Sequence, residues 1–455
     1  MSLDLKGLER PVHTVDELVE YIRGAERPRE GWVVGVEHEK IGVAEHSLKP
    51  VEYKGRGGIR ELLDAVARAA GGSQHRHTES GQPVALLSEN ASVTLEPGGQ
   101  LELSGAPSRS FEAVKREIDE HLAVVRANSG GARWLAAGYR PFGPREDVPW
   151  MPKGRYQAMK SSLGPRGRLA LDMMLMTATV QANLDWSDEG DLAGKVRVAT
   201  KVSPIVTALF ANSPFVDGKE SGYLDFRYQV WRETDDARCG LLRGMFEPGF
   251  TYRGYVDWAL DVPMLFVRRG TDYTDARGQT FRQWMQSGRL ANGEDAVPGL
   301  SNWVDHLTTL FPEIRVKRVL EVRGADVVPP PLLMALPAIW VGLLYDAQAR
   351  RAALDLVDGW KFEELVEFQG EVARTALQAR SPRGPRALDL ARELVSIARG
   401  GLKAWAAVSG TDESPHLDAA SDIVASGKTF AERAVDAFRA SGKDPQSLVR
   451  FWQIA

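Results

Sequence analysis

The sequence predicts an α+β protein: an antiparallel β-sheet with helices packed on it, then a helical C-terminal third. Three observations carry this. Five segments alternate apolar and polar residues with period two, the signature of half-buried strands. Amphipathic runs with helical spacing lie between them. After Pro329-Pro330-Pro331 the composition turns to Ala, Leu, Glu and Arg in helical runs.

Thr14 and Glu17 stand at capping-box spacing, so a helix starts there and runs to Arg23. Val33 to Val43 reads as a strand. Gly55-Arg56-Gly57-Gly58 lacks the Lys-Ser/Thr ending of a phosphate-binding loop and reads as the turn opening a helix from Ile59 to Ala70. Ala91 to Ser104 reads as two short strands joined by Pro97-Gly98-Gly99, a hairpin signal. Phe111 to Val125 is helical, Thr177 to Trp186 a strand, Val196 to Phe210 a helix and Val316 to Arg323 a strand. Leu332 to Tyr345 is the most apolar run. It is shorter than the roughly 20 residues of a membrane span and holds Pro337, so it reads as a buried helix. Leu365 to Ala379 and Ala387 to Arg399 are helical, the second stopped by Gly400-Gly401. The proline triplet marks either a border between a core of residues 1–330 and a helical region of 331–455, or a rigid turn inside one domain.

Composition narrows the function classes. Of 455 residues 43% are hydrophobic and 26% charged, which is globular and excludes disorder. Fifty-seven basic and 61 acidic residues leave −4, so there is no electrostatic footprint for nucleic acid or an anionic membrane. One cysteine, Cys239, excludes an intrachain disulfide framework and a cysteine-based zinc site. Met1 to Lys6 lacks the apolar core of a signal peptide, so a cytoplasmic protein is expected.

The strands share an unusual face. Side chains two apart on a strand point the same way. Glu37 and Glu39 therefore share a face, as do Thr94 and Glu96, Gln100 and Glu102, and Glu321 and Arg323. Thr179, Gln181, Asn183 and Asp185 form a fifth such row. A solvated outer face is one reading. Against it, the face is rich in carboxylates, and like charges opposite one another destabilise a sheet. Glu37, Glu39, Glu96, Glu102 and Glu321 would repel unless cations sat among them. Mg²⁺ takes oxygen ligands and bridges carboxylates to phosphates, so a metal–phosphate site is expected if the strands are neighbours.

Other motifs carry less. His75-Arg76-His77 reads as a polar loop, His38 as a satisfied core histidine, and Met173 to Met176 as core packing. Arg238 stands beside Cys239 and would lower its pKa, with no general-base partner in view.

Eight ordered blocks resemble one family. They include Gly35-Val36-Glu37-His38-Glu39-Lys40, Leu95 to Pro107, Met151-Pro152-Lys153-Gly154-Arg155-Tyr156, Thr179 to Asp185, Phe210 to Phe215, Leu260 to Met264, His306 to Glu313 and Leu320 to Asp326. Together they resemble the plant and proteobacterial glutamate–cysteine ligases. The resemblance implies a glutamine synthetase-like antiparallel sheet funnel surrounded by helices. It implies ATP-dependent ligation of the γ-carboxylate of L-glutamate to the amine of L-cysteine through γ-glutamyl phosphate, the first step of glutathione synthesis. ATP is then a co-substrate and Mg²⁺, as two or more ions, the cofactor. By position, Glu37, Glu39, Glu96, Glu102 and Glu321 match metal-binding carboxylates. Arg323 and Arg227 match catalytic or substrate-holding arginines, and Thr179, Gln181, Asn183 and Trp258 match substrate-binding positions. Lys153, Arg155 and Arg323 are candidates for the nucleotide, with a surface loop the other reading of the first two. A monomer or homodimer is expected, with no nucleic-acid or membrane partner.

Three departures stand out. Met176 replaces an arginine of many relatives, Trp258 a tyrosine of plant relatives, and Ala276 one of the cysteines of a plant redox switch. The alternatives are a ligase of the same chemistry with another amine acceptor, a metal-dependent hydrolase, or a scaffold without activity.

Overall fold

The structure is a computed structural model that describes residues 8–71 and 74–455; the Met1–Lys6 stretch lies outside them. Among the described residues nine strands form the main sheet. They are β1 (Val34–Ala44), β2 (His75–Glu79), β3 (Gln82–Leu87), β4 (Ser92–Leu95), β5 (Leu101–Ser104), β6 (Ala132–Leu135), β7 (Val180–Leu184), β8 (Ile314–Val316) and β9 (Leu320–Val322). The order is β8-β9-β7-β1-β5-β4-β3-β2, every pair antiparallel, with β6 pairing the far half of β1. The α+β expectation holds.

Local chemistry explains most boundaries. The expected capping box is present: Thr14 and Glu17 bond reciprocally at the start of helix Val15–Arg23. Gly58 opens helix Ile59–Ala69. The helix expected from Val196 begins seven residues earlier, at Glu189, because the Asp188 side chain accepts from the Asp191 backbone and caps it. His75-Arg76-His77 is part of β2 rather than a loop. The segment Val316–Arg323 is not one strand. Lys317 N–H donates to the Val319 carbonyl, turning the chain so that β8 folds back on β9.

The apolar face of the sheet is covered by helix Ala335–Leu344, all of whose residues are buried and which packs on β1 and β7. Among the described residues no single helix is long and apolar enough to cross a membrane. Helix Ala335–Leu344 packs against helix Ala387–Ser409, which runs straight through Gly400-Gly401 and ends at Gly410, φ 84°. The expected stop fails for a packing reason. A Cβ on Gly401 would lie 1.9 Å from the Gly342 carbonyl oxygen, and one on Gly342 would lie 2.2 Å from the Ala398 carbonyl oxygen. The glycines let two backbones touch.

Gly400 has nothing within 4 Å of its would-be Cβ. Gly400→Ala should therefore gain helix propensity, raising stability by about 0.5–1 kcal/mol. Gly401→Ala should lose about 1–3 kcal/mol to overpacking despite the same gain. Urea unfolding of the two variants checks this; equal effects would contradict the close crossing.

Candidate active site

The register brings the polar rows together. Glu37 and Glu39 of β1 lie opposite Ser104 and Glu102 of β5. Gln181 of β7 lies opposite Glu37, and Asn183 lies between Gly35 and Glu321. Thr94 of β4 faces Glu102. Glu96 stands just past β4, where its N–H bonds the Gln100 carbonyl across the Pro97-Gly98-Gly99 turn. Gly99 takes φ 80°, which glycine adopts without strain. The Gln100 side chain braces the turn, accepting from Gly98 N–H at 2.9 Å and donating to the Thr177 carbonyl at 2.8 Å. The strands are neighbours, as the carboxylate face required.

This face is strained electrostatically. Burial raises the Glu37 carboxyl above its usual range, helped by Glu321 and Glu102. Burial, then Glu96 and Glu102, hold Glu39 well above it, although the Thr179 N–H donates to its Oε2 at 2.9 Å. Glu102 is raised by burial and Glu96, while Ser104 donates to it. Asn183 gives its Nδ2–H to Glu37 Oε1 at 2.9 Å, and its own Oδ1 is buried with no partner among the described residues. A set of hard oxygen donors, mutually repelling, with an orphaned amide oxygen beside them, suits a small divalent cation. Among the described residues no three His, Cys, Asp or Glu side chains close into a ligating cage as they stand.

Glu321 differs from the other four. Arg315 grips both its oxygens, Nε to Oε2 at 3.0 Å and Nη2 to Oε1 at 2.6 Å. Lys317 Nζ lies 2.8 Å from Oε2, and Arg323 also donates to Oε1. Burial would raise this carboxyl, but Arg315, Lys317 and Arg323 outweigh it and hold it well below the usual range. Glu321 therefore stands, unlike the other four acids, between side-chain cations on both of its oxygens. Arg315 and Lys317 went unread in the sequence; the β8–β9 hairpin that aims them was taken for one strand.

The remaining candidates fall in several places. Arg323 stands at the end of β9, bonded to Gln181 Oε1 at 2.8 Å, with its guanidinium near the rings of Trp231 and Phe311. Arg227 is buried, and its Nη1 and Nη2 donate to the carbonyls of Gly324 and Arg323 at 3.0 and 3.1 Å. It braces the backbone that carries Arg323, and its Nε is buried with no partner among the described residues. The Thr179 hydroxyl donates to the Ala325 carbonyl at 2.7 Å. Lys153 reaches the Leu95 carbonyl at 2.7 Å beside Glu96, and burial lowers its pKa against the pull of Glu96. Arg155 lies farther out, on Thr308 Oγ1 at 3.2 Å and over Phe266, with its Nε buried and unpartnered among the described residues. Trp258 packs on Tyr255, whose hydroxyl accepts from Val316 N–H between Arg315 and Lys317.

Behind the sheet His38 is buried, but neither ring nitrogen has a partner among the described residues, so the satisfied-histidine expectation fails. Lys40 beside it is pushed down to about 7 by burial, against the pull of Glu102 and Glu39. Cys239 also departs from expectation: burial pushes its thiol up to about 12, and Arg238 does not offset that. Met173 to Met176 are buried core residues, as expected.

Known proteins match this chain over nearly its whole length. The description "Glutamate-cysteine ligase family 2 (GCS2)" fits residues 33–449. The chloroplastic glutamate–cysteine ligase of Medicago truncatula is 40% identical over 437 residues, 96% of this chain and 84% of that protein. That of Arabidopsis thaliana is 40% identical over 427 residues, 93% of this chain and 80% of that protein. The glutamate–cysteine ligase of Francisella tularensis, solved in complex with AMP, shares the fold at a TM-score of 0.56 and 13% identity, over 92% of this chain and 87% of that one. The cytoplasmic expectation is corrected by the curated relatives, which are chloroplastic enzymes. From the carboxylate-lined sheet and these matches together, the chain belongs to the glutamate–cysteine ligase family.

Proposed function

We propose that the chain joins the γ-carboxylate of L-glutamate to the amine of L-cysteine at the expense of ATP, the first step of glutathione synthesis. The observation that carries this is the polarity of one buried sheet face: Glu37, Glu39, Glu96 and Glu102 at one end, Arg315, Lys317 and Arg323 at the other. Phosphoryl transfer needs charge neutralisation and positioning more than covalent help from the protein. Glu37, Glu39, Glu96 and Glu102, with Asn183 Oδ1, are the groups that would hold Mg²⁺, which when bound neutralises phosphate charge. A γ-carboxylate oxygen attacks the γ-phosphorus and ADP leaves. The cysteine amine then attacks the acyl carbon, and phosphate departs with that oxygen. Arg323, fixed by Gln181 and Glu321, faces the charge that moves, and Lys153 stands on the acidic side beside Glu96.

Activity is the primary test. Purified protein should form ADP with glutamate, ATP and Mg²⁺ in a cysteine-dependent manner; ADP formation that ignores cysteine, or none, would overturn the reading.

A second expectation concerns Glu39. Its folded pKa is raised, so it binds its proton more tightly folded than unfolded. It therefore favours the fold at low pH and loses that contribution as pH rises through the folded value. In chelator at about pH 8, Glu39→Gln should melt with the parent or above it, the difference shrinking toward about pH 5. Turnover should fall at least about 100-fold. A variant that melts well below the parent yet keeps its turnover would make Glu39 structural.

A third follows from Cys239. One buried cysteine cannot form an intrachain bridge. With 2-aminobutyrate as acceptor, so that substrate thiol is not at issue, activity should be equal with and without reductant, in the parent and in Cys239→Ser. Reversible several-fold activation by oxidant would contradict this.

A further inference from the structure

Two buried aspartates behind the sheet take no part in the reaction above. Asp225 caps helix Phe226–Arg232, which carries Arg227, its Oδ1 accepting from Tyr228 N–H at 2.8 Å. Asp326 lies beyond β9, at the end of the segment that holds Arg323. Its Oδ2 accepts from Asn212 N–H at 2.8 Å and from the Ser213 hydroxyl at 2.7 Å. That same hydroxyl oxygen accepts from Arg227 N–H at 3.1 Å and lies 3.4 Å from Asp225 Oδ1. Both carboxyls are 0% exposed, and each keeps one oxygen with no donor among the described residues, Asp225 Oδ2 and Asp326 Oδ1. The two carboxyls stand within hydrogen-bond reach of each other. The space is built for this approach: a Cβ on Gly138 would lie 2.1 Å from Asp326 Cγ.

Two ionised carboxylates have no proton to bond with, and one protonated carboxyl supplies it. The surrounding donors decide where the proton sits. Asp326 receives two donors on one oxygen and is the better carboxylate; Asp225 receives one and is the better acid. Burial raises both above the usual carboxylate range, Asp225 further because Asp326 adds to it, while Arg227 pulls both down. Tyr228, the other titratable group against Asp225, is itself raised by burial and stays neutral. One negative charge then faces one guanidinium, whereas two would leave a buried charge unbalanced.

We propose that Asp225 and Asp326 are positioning residues that share one proton, Asp225 Oδ2–H donating to Asp326 Oδ1, and that this bond fixes the helix of Arg227 against the Arg323–Asp326 segment. Arg227 grips the carbonyls of Arg323 and Gly324 from that helix, so the segment is held at both ends. The segment also ties back to the acidic face. Thr179 gives its hydroxyl to the Ala325 carbonyl and its N–H to Glu39 Oε2. A single buried proton thus stands where the two halves of the site are joined. Only the kinetic arm of the test rests on the ATP-dependent reading above.

The test compares two replacements that both cap the helix. Asp225→Asn puts an amide N–H where the proton was and keeps the bond to Asp326; Asp225→Ser is too short to reach it. In the infrared spectrum at about pH 8 the parent should show the C=O stretch of a protonated carboxyl that Asp225→Asn lacks and Glu39→Gln retains. The proton is held more tightly folded than unfolded, so it favours the fold at low pH and that contribution is lost as pH rises through the folded value. Above about pH 5, urea stability should therefore fall more steeply with pH in the parent than in Asp225→Asn, by about one proton per chain. In kcat/KM for glutamate, Asp225→Asn should exceed Asp225→Ser by at least about tenfold, the size of one charge-assisted hydrogen bond. No difference in the carboxyl band, or equal pH slopes, would overturn the shared proton. Equal kcat/KM in the two variants would overturn the positioning role. If the parent makes no cysteine-dependent ADP, the proposed reaction fails, and the infrared and stability results still decide the proton.

Discussion

The constraint on which the rest depends is the repulsion among carboxylates on one buried sheet face. Burial first raises Glu37, Glu39 and Glu102 above the usual carboxylate range, and nearby carboxylates add to it: Glu321 and Glu102 on Glu37, Glu96 and Glu102 on Glu39, and Glu96 on Glu102. No fold gains stability from such a set; it has to be imposed. The imposition comes from the other face. Val34, Val36, Val180, Ala182 and Leu184 are buried there under helix Ala335–Leu344, and Leu320 and Val322 of β9 are buried where helix Glu189–Leu209 packs on that strand. Because strand side chains alternate, burying the apolar rows forces the acidic rows together, and a register slip of one residue would exchange them.

The charge is balanced across the sheet rather than within pairs. Glu321, alone among the five acids first grouped by alternation, has cations on both oxygens. It is held ionised while its neighbours are pushed toward the neutral form. The face therefore has an acidic end that seeks a cation and a basic end that seeks an anion. The Mg–ATP of the proposed reaction would meet both ends. Arg227, on the Arg323 and Gly324 carbonyls, and Thr179, on the Ala325 carbonyl, tie the strand ends that frame the site.

Period-two alternation made this face legible in the sequence, since it depends only on chain geometry. The hairpin at Pro97-Gly98-Gly99 and the capping box at Thr14 were legible for the same local reason. What sequence could not carry was pairing. Arg315 meets Glu321 only because the chain turns at Lys317–Val319, a turn without glycine or proline to mark it. β2 was missed because all five of its residues are polar, so no period-two alternation marks it. Gly400-Gly401 looked like a stop and proved to be a helix contact, because a glycine serving close packing and one ending a helix read alike. Arg227 was recognisable by position, but its side chain's direction depends on a backbone about a hundred residues away in sequence.

The central claim is that this face carries out phosphoryl transfer to a carboxylate rather than some other cation-dependent chemistry. The most direct measurement uses glutamate labelled with ¹⁸O in its γ-carboxylate, with ATP, Mg²⁺ and 2-aminobutyrate, and mass analysis of the released phosphate. Attack by the carboxylate on the γ-phosphorus leaves a carboxylate oxygen in that phosphate, so the label should appear there in step with amide formed. Unlabelled phosphate, or label that enters only from solvent water, would contradict the account.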